Sequence, residues 1–174
     1  DNGKLYLIHL NSLKAELVKD SVLDFSMQKN NGTIFMIAEQ AIYKYIPGQS
    51  TLKKLKTGAV TDPAKIFTLS ENEVCIKESG REIFILNELT GRRLPIPGTK
   101  YMTVHDLHAE TGYILCSEIE REGDAITYFN IDTKNRVIRS RLMVTEKGQF
   151  RQPSCVYGRN NTDFLTTGMI EDPE

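Results

Sequence analysis

The sequence predicts an all-β protein built from a repeated unit of four antiparallel strands. Three observations support this fold class. Short apolar strands recur at steps of about 40 residues, polar turns separate them, and no long stretch carries the helical period of apolar residues.

The clearest repeat is an apolar strand followed by a turn and then by a strand that opens with a basic residue. In the segment 81–97, the strand leads into a turn at Asn87–Gly91, and Arg92 and Arg93 follow. Further copies lie at 4–14, 41–53 and 125–138. The first aliphatic residues of the copies are Leu5, Ile42, Ile83 and Ile126, at steps of 37, 41 and 43 residues.

The strand that precedes each of these copies also recurs, and it closes on a glutamate. Glu39, Glu78 and Glu118 end the segments 33–39, 72–78 and 112–118, and a weaker copy lies at 163–168. One more short strand comes before each, at 22–27, 65–69, 103–108 and 154–157. Polar turns follow those strands, at 28–32, 70–72, 109–112 and 158–162, with residue types that tolerate positive φ.

A repeat of about 40 residues with four strands, A to D, is typical of a β-propeller blade. The frame predicts one propeller domain over 1–174, with about three full blades and two half-blades. The blades are 5–18 (half, C–D), 22–57, 64–96, 102–144 and 153–170 (half, A–B). A blade must stack on neighbours to bury both faces. The two halves therefore pair to close a small four-bladed ring, or the chain is part of a ring of six to eight blades. The abrupt ends and the missing initiator Met favour the larger ring.

The composition excludes several classes of protein. A net charge of −1 with 40% hydrophobic residues argues against disorder. No apolar run approaches the roughly 20 residues that a membrane-spanning helix needs. Cys75 and Cys116 fall within apolar strands, and three cysteines cannot all pair, which favours an intracellular setting, cytoplasmic or nuclear. No Cys-x-x-Cys pair occurs and the three histidines lack zinc-type partners, so neither a metal nor a cofactor is predicted.

The order of an aliphatic-aromatic strand, an Asp/Asn turn with Thr and Gly or Lys, and a basic strand resembles the repeats of the WD40-like superfamily in its broad sense. The resemblance covers nearly the whole chain. The Trp-Asp and Gly-His signatures of strict WD repeats, the Gly-Gly pair of kelch repeats and the Tyr-Trp-Thr-Asp motif are all missing. The resemblance implies a rigid interaction platform more often than an enzyme.

In such propellers the B–C and D–A connections open on one face, and the recurring glutamates should reach it. The predicted partner-binding residues are Glu39, Gln40, Glu78, Arg81, Tyr101, Glu118, Glu120, Arg121, Glu122 and Arg151. An acidic ring there would bind a basic peptide or a cation. The alternative is ordinary solvated strand ends with surface ion pairs. The charged connection 118–124 is the loop most suited to partner contacts.

The basic residues collect on the D strands, at Lys53, Lys54, Lys56, Arg92, Arg93, Arg136, Arg139 and Arg141. We interpret them as charges that protect outer edge strands from aggregation. The alternative is a face for RNA, but aromatic stacking residues are not interleaved with the charges and the net charge is near zero.

His105 and His108 flank Asp106 on a predicted A strand, which is the only cluster that suggests catalysis. Period-2 geometry sends the two imidazoles to opposite faces, and no Ser or Cys is spaced for them in sequence. No catalytic residue is predicted, and a propeller enzyme of the hydrolase or lyase type is the alternative. We expect a non-catalytic protein-interaction scaffold, a domain or subunit of a larger intracellular assembly. Its partner would be a protein or peptide, possibly the remainder of its own propeller, and neither nucleic acid nor a membrane.

Overall fold

The computed structural model describes residues 3–61, 64–108, 110–119, 125–145, 149–157 and 164–171, with the side chains of 149–154 and 165–171 left out. It confirms an all-β fold of antiparallel sheets with the strand order of propeller blades. The strands are β1 (Gly3–His9), β2 (Lys14–Met27), β3 (Ile34–Ala38), β4 (Ala41–Ile46), β5 (Thr51–Lys54), β6 (Ala64–Thr68), β7 (Glu73–Glu78), β8 (Phe84–Asn87), β9 (Arg93–Pro95), β10 (Thr103–His108), β11 (Tyr113–Ile119), β12 (Ala125–Asp132), β13 (Val137–Thr145), β14 (Gln149–Tyr157) and β15 (Phe164–Glu171). One turn of 3₁₀-helix, Pro47–Gln49, precedes β5.

The described residues form two compact units, one within 1–95 and the other within 96–174. The first unit holds a sheet of order β1-β2-β3-β4-β5 and a sheet of order β6-β7-β8-β9. The second unit holds a sheet of order β10-β11-β12-β13 and the pair β14-β15. Sequential strands are therefore neighbours throughout, as the A–D frame predicts.

The first sheet has five strands because β2 serves two neighbours in succession. Its part up to Val22 pairs with β1, and its part from Val22 onward pairs with β3. Ser21 has a φ of +54° within this continuous strand. The segments 5–18 and 22–57 consequently share one sheet in the structure, since no loop separates them.

The side chains of β3 alternate between the two faces of its sheet, and both faces are buried. Phe35 and Ile37 point into the core shared with the β6–β9 sheet, where they meet Ile66 and Ile76. The other residues of β3 point to the opposite face, where they form a second cluster with Tyr43 and Tyr45. Because strands buried on both faces are nearly all apolar, β3 reads as an unbroken hydrophobic run.

A carboxylate on strand A links successive sheets within each unit. In β2 a bulge between Val22 and Asp24 precedes the carboxylate that accepts a 2.8 Å hydrogen bond from the Ile66 amide on β6. In β10 a bulge again precedes Asp106, which accepts a 2.8 Å bond from the Tyr157 amide on β14. Bulges re-aim side chains, and here each turns an aspartate toward the next sheet.

The predicted turns after strand C are confirmed in their chemistry. The Asn87 amide oxygen accepts bonds from the amides of Leu89 and Thr90, at 3.2 and 3.1 Å. At the equivalent turn Asp132 accepts from the Asn135 amide at 2.9 Å and from Arg139 at 2.8 Å. Side chains that accept from the backbone in this way fix the turn.

Candidate functional site at the B–C and D–A connections

The first unit contains an open cleft of about 600 Å³ where a B–C turn meets a D–A connection. The B–C turn is the two-residue link between β3 and β4, and the D–A connection is the segment that leaves β5. The cleft is lined by Glu39, Gln40, Ala41, Lys54, Leu55, Lys56, Thr57, Gly58 and Ala59. Backbone bonds hold the two walls together, from the Leu55 amide to the Ile42 carbonyl and from the Val60 amide to the Gln40 carbonyl, both at 2.8 Å. Two of the predicted partner-binding residues, Glu39 and Gln40, are therefore in one site.

Glu39 is held in place by its turn and by two donors. Its φ is +50° and that of Gln40 is +58°, which is the left-handed pair that a tight hairpin turn requires. The Lys19 ammonium donates to one carboxylate oxygen at 2.7 Å, and the Tyr43 hydroxyl donates to the other at 3.0 Å. The Lys19 ammonium also lies 5.3 Å from the centre of the Tyr43 ring. The carboxylate is 50% exposed but is already neutralised.

These contacts shift the titration of the three groups. The hydrogen bond from Lys19, followed by that from Tyr43, lowers the pKa of Glu39 below its ordinary value. The same bond to Glu39 raises the pKa of Lys19. Burial, and then the bond to Glu39, raises the pKa of Tyr43. The charged forms of Lys19 and Glu39 thus stabilise each other at neutral pH.

Glu78 ends the next B strand but has no exposed surface. Its carboxylate lies between two guanidinium groups, 3.1 Å from Arg81 Nη1 and 3.6 Å from Arg93 Nη1. Neither carboxylate oxygen has a hydrogen bond of good geometry to a described residue. The sequence places Glu78 and Arg81 on the partner-binding face. In the structure they form an ion pair in which Glu78 is buried and the Arg81 side chain is 59% exposed.

Arg93 is the residue whose role the sequence does not reveal. Besides facing Glu78, its guanidinium lies 4.8 Å from the centre of the Phe84 ring. Its Nη2 donates to the carbonyl of Thr57 and, at 3.3 Å each, to those of Gly58 and Ala59. The interpretation of Arg93 as a protective edge charge is therefore incomplete, because this side chain fixes the wall of the cleft. This role depends on contacts between β9 and the segment 57–59, which the sequence pattern does not show.

The remaining predicted site residues divide between the second unit and the undescribed residues. Tyr101 is 72% exposed, and the Lys100 ammonium lies 5.1 Å from the centre of its ring. Glu118 is half-buried on β11, opposite Thr127. Glu120, Arg121 and Glu122 lie outside the described residues, and Arg151 belongs to β14 with its side chain outside the description.

A serine does approach His105 in the structure, although none is near it in sequence. His105 Nε2 and Ser117 Oγ are 2.7 Å apart, joined across the β10–β11 pair. Ser117 is only 2% exposed, and a nucleophile has to meet its substrate. Asp106 is directed away, to the amides of Leu107 and Tyr157. We read the pair as a buried structural hydrogen bond.

Metal-binding clusters and membrane-spanning helices are both absent from the described ranges. No cluster of three or more His, Cys, Asp or Glu suited to a metal ion occurs there. In the same part of the chain, no helix has the length and apolar character needed to cross a membrane. The three cysteines, Cys75, Cys116 and Cys155, are all buried.

The fold and the position of the cleft define this chain as propeller-like, and solved structures agree. It is similar to hydrazine synthase from Kuenenia stuttgartiensis, with a TM-score of 0.64 and 9% identity over 95% of this chain and 49% of that one. It is similar to a candidate TolB from Agrobacterium tumefaciens, with a TM-score of 0.60 and 12% identity over 88% and 57%. The computationally designed Ika4 protein has a TM-score of 0.53 and 12% identity over 86% and 90%.

The chain spans about half the length of the first two of these proteins. Identities this low establish the shared fold alone. No family model matches the sequence, and no curated protein does.

Proposed function

We propose that this chain is a non-catalytic interaction domain of a larger intracellular assembly, and that it holds a segment of a partner protein in the cleft of its first unit. The observation that carries the proposal is the cleft itself, an open concave site of about 600 Å³ built from a B–C turn and a D–A connection. Loops on a rigid sheet scaffold are where binding residues concentrate. The resemblance of the repeats to WD40-like units supports the same function.

The rigidity of the cleft also supports binding over catalysis. Its two walls are tied by backbone hydrogen bonds, the Glu39 carboxylate accepts a bond from Lys19, and Arg93 holds the carbonyls of the wall from outside the lining. A site that is ordered before the partner arrives loses less conformational entropy on binding. The lining holds one carboxylate and two lysines but no histidine, serine or cysteine to act as a base or nucleophile.

Site-specific photocrosslinking tests the proposal. A photoreactive amino acid replaces Gln40 in the cleft, and in a matched variant it replaces Thr51, which is exposed on β5 of the same sheet but outside the cleft. In extract from the source cells, the Gln40 variant should yield a discrete protein adduct that the Thr51 variant does not. Adducts of equal pattern from both positions, or none from Gln40, would contradict binding at this cleft. A nuclease-sensitive adduct would support the RNA alternative.

A further inference from the structure

The segment Thr57–Ala59 presents its peptide groups in an unusual arrangement. All three carbonyls turn toward the guanidinium of Arg93, and Gly58 has a φ of +75°, which permits the chain to take this path. Three consecutive carbonyls on one cation bring their oxygens to the same side of the segment. The N–H group of each of those peptide planes must therefore point to the other side.

A trans peptide directs its N–H opposite to its C=O. The N–H groups of Gly58 and Ala59 thus point away from Arg93, and neither donates a hydrogen bond to any residue that the structure describes. The next N–H along the chain, that of Val60, reaches the Gln40 carbonyl at 2.8 Å. Gln40 and residues 57–59 line the cleft and Arg93 does not. The two unused N–H groups therefore face the cleft.

Two lysines add positive charge at the same place. Lys54 and Lys56 line the cleft and are exposed on either side of the buried Leu55. Neither forms an ion pair with a described residue, whereas the one carboxylate of the lining, Glu39, already has Lys19 and Tyr43 as donors. The Lys54 ammonium lies 6.0 Å from the centre of the Tyr43 ring, which does not neutralise its charge. The cleft consequently offers N–H donors and cations without an anionic partner among the described residues, and its one carboxylate is occupied.

From this geometry we propose that the cleft recognises a carboxylate in an acidic segment of the partner protein, bound by the amides of Gly58 and Ala59 and by the ammonium groups of Lys54 and Lys56. Convergent backbone N–H groups form concave sites that suit anions, and charge-assisted bonds of this kind are the stronger ones. Arg93 is a positioning residue, because it orients the carbonyls without lining the site.

A protein carboxylate fits better than a polyanion such as RNA. The site has two lysines that form no ion pair with a described residue, rather than an extended basic stripe, and the chain carries a net charge of −1. The inference rests on the proposed function, since it names the chemistry of the segment that this cleft would hold.

Binding of short labelled peptides tests the inference directly. The probes are a fluorescein-labelled peptide rich in glutamate, its glutamine analogue, its lysine analogue, and a single-stranded RNA oligonucleotide of similar length. At low salt the glutamate peptide should bind about tenfold more tightly than the glutamine analogue, which is what one charge-assisted contact contributes. Raising the ionic strength should weaken its binding.

Two matched double variants distinguish the effect of the two cleft lysines from a general effect of positive charge on peptide binding. Lys54→Gln with Lys56→Gln should reduce the affinity for the glutamate peptide about tenfold. Lys53→Gln with Lys65→Gln removes the same charge from exposed positions outside the lining and should leave the affinity within about twofold. In amide NMR spectra of the wild type, the glutamate peptide should shift the resonances of Gly58 and Ala59.

The outcomes distinguish this inference from the proposed function. If the glutamine or lysine analogue binds as well as the glutamate peptide, the carboxylate inference fails, while a Gln40 crosslink to a protein still supports the interaction domain. If the RNA binds more tightly than any peptide, or if both double variants lose affinity equally, the carboxylate site is also overturned. The absence of any peptide binding rejects the inference as well, and the crosslinking result then decides the proposed function on its own.

Discussion

Glu39 and Glu78 hold the same place in the sequence repeat, yet they differ by one position in strand register and their surroundings are opposite. Glu39 is half-exposed and accepts bonds from Lys19 and Tyr43. Glu78 is fully buried between the guanidinium groups of Arg81 and Arg93. Glu39 lines the cleft, whereas Glu78 pairs with Arg93, the residue that binds the carbonyls of the cleft wall.

The one-residue difference in register, the connecting loops and one substitution explain the contrast. Only two residues, 39–40, join β3 to β4, so the Glu39 side chain stays at the rim. The link from β7 to β8 runs over 79–83 and folds Arg81 back across the Glu78 carboxylate. In the neighbouring strand, Arg93 lies opposite Leu86, whereas the equivalent residue of the first sheet is Leu52, opposite Tyr45. A repeat thus conserves the path of the backbone more faithfully than the environment of a side chain.

The largest expected effect comes from neutralising the buried carboxylate. Glu78→Gln keeps the shape but leaves two guanidinium groups without their anion, so the free energy of unfolding should fall by about 3 kcal/mol. Glu39→Gln is the matched control, and it should shift the denaturant midpoint far less because its ion pair is exposed. Urea unfolding of both variants measures the two changes. Equal shifts in the urea midpoint would show that burial does not make the ion pairs of Glu78 more important for stability than the ion pair of Glu39.

The all-β class, the antiparallel order of sequential strands and the turn chemistry could be predicted from the sequence, because they depend on local alternation and on turn residues. The turn at Asn87 illustrates this, since its acceptor and the strands around it lie within a few residues. The burial of Glu78 and the role of Arg93 could not be predicted. They depend on contacts between β7, β9 and the segment 57–59, which are brought together only when two sheets stack.

A second test compares the backbone strain of the two B–C connections, and the expected change in stability is smaller. The longer link in the second sheet places Gly80 at its left-handed position, φ +66°, whereas the tight turn of the first places Gln40 at +58°. Gln40→Gly should therefore raise the free energy of unfolding by about 0.5 kcal/mol, because the backbone strain that it relieves slightly exceeds the entropy cost of glycine. Thermal unfolding measures the change.

Gln49→Gly is the control for this substitution. Gln49 is exposed in the 3₁₀ turn and is not among the described residues with positive φ, so glycine there should lower stability. A loss of stability in Gln40→Gly comparable to that in Gln49→Gly would mean that the turn is not strained.

The smallest effect is the pH dependence of the exposed pair. Because the pKa of Glu39 is lowered by Lys19 and then by Tyr43, its contribution to stability is present above its ordinary pKa of 4.5 and is lost as the pH falls through the lowered value. Lys19 and Tyr43 titrate at far higher pH, and the pKa of neighbouring Asp20 is also lowered by the bond from Lys19. The stability difference between the wild type and Glu39→Gln should therefore be constant from neutral pH down to about pH 5 and shrink toward zero below that. Urea midpoints of the two proteins across this range measure it, and a difference that grows on acidification would show that Lys19 does not stabilise the Glu39 carboxylate in the folded protein.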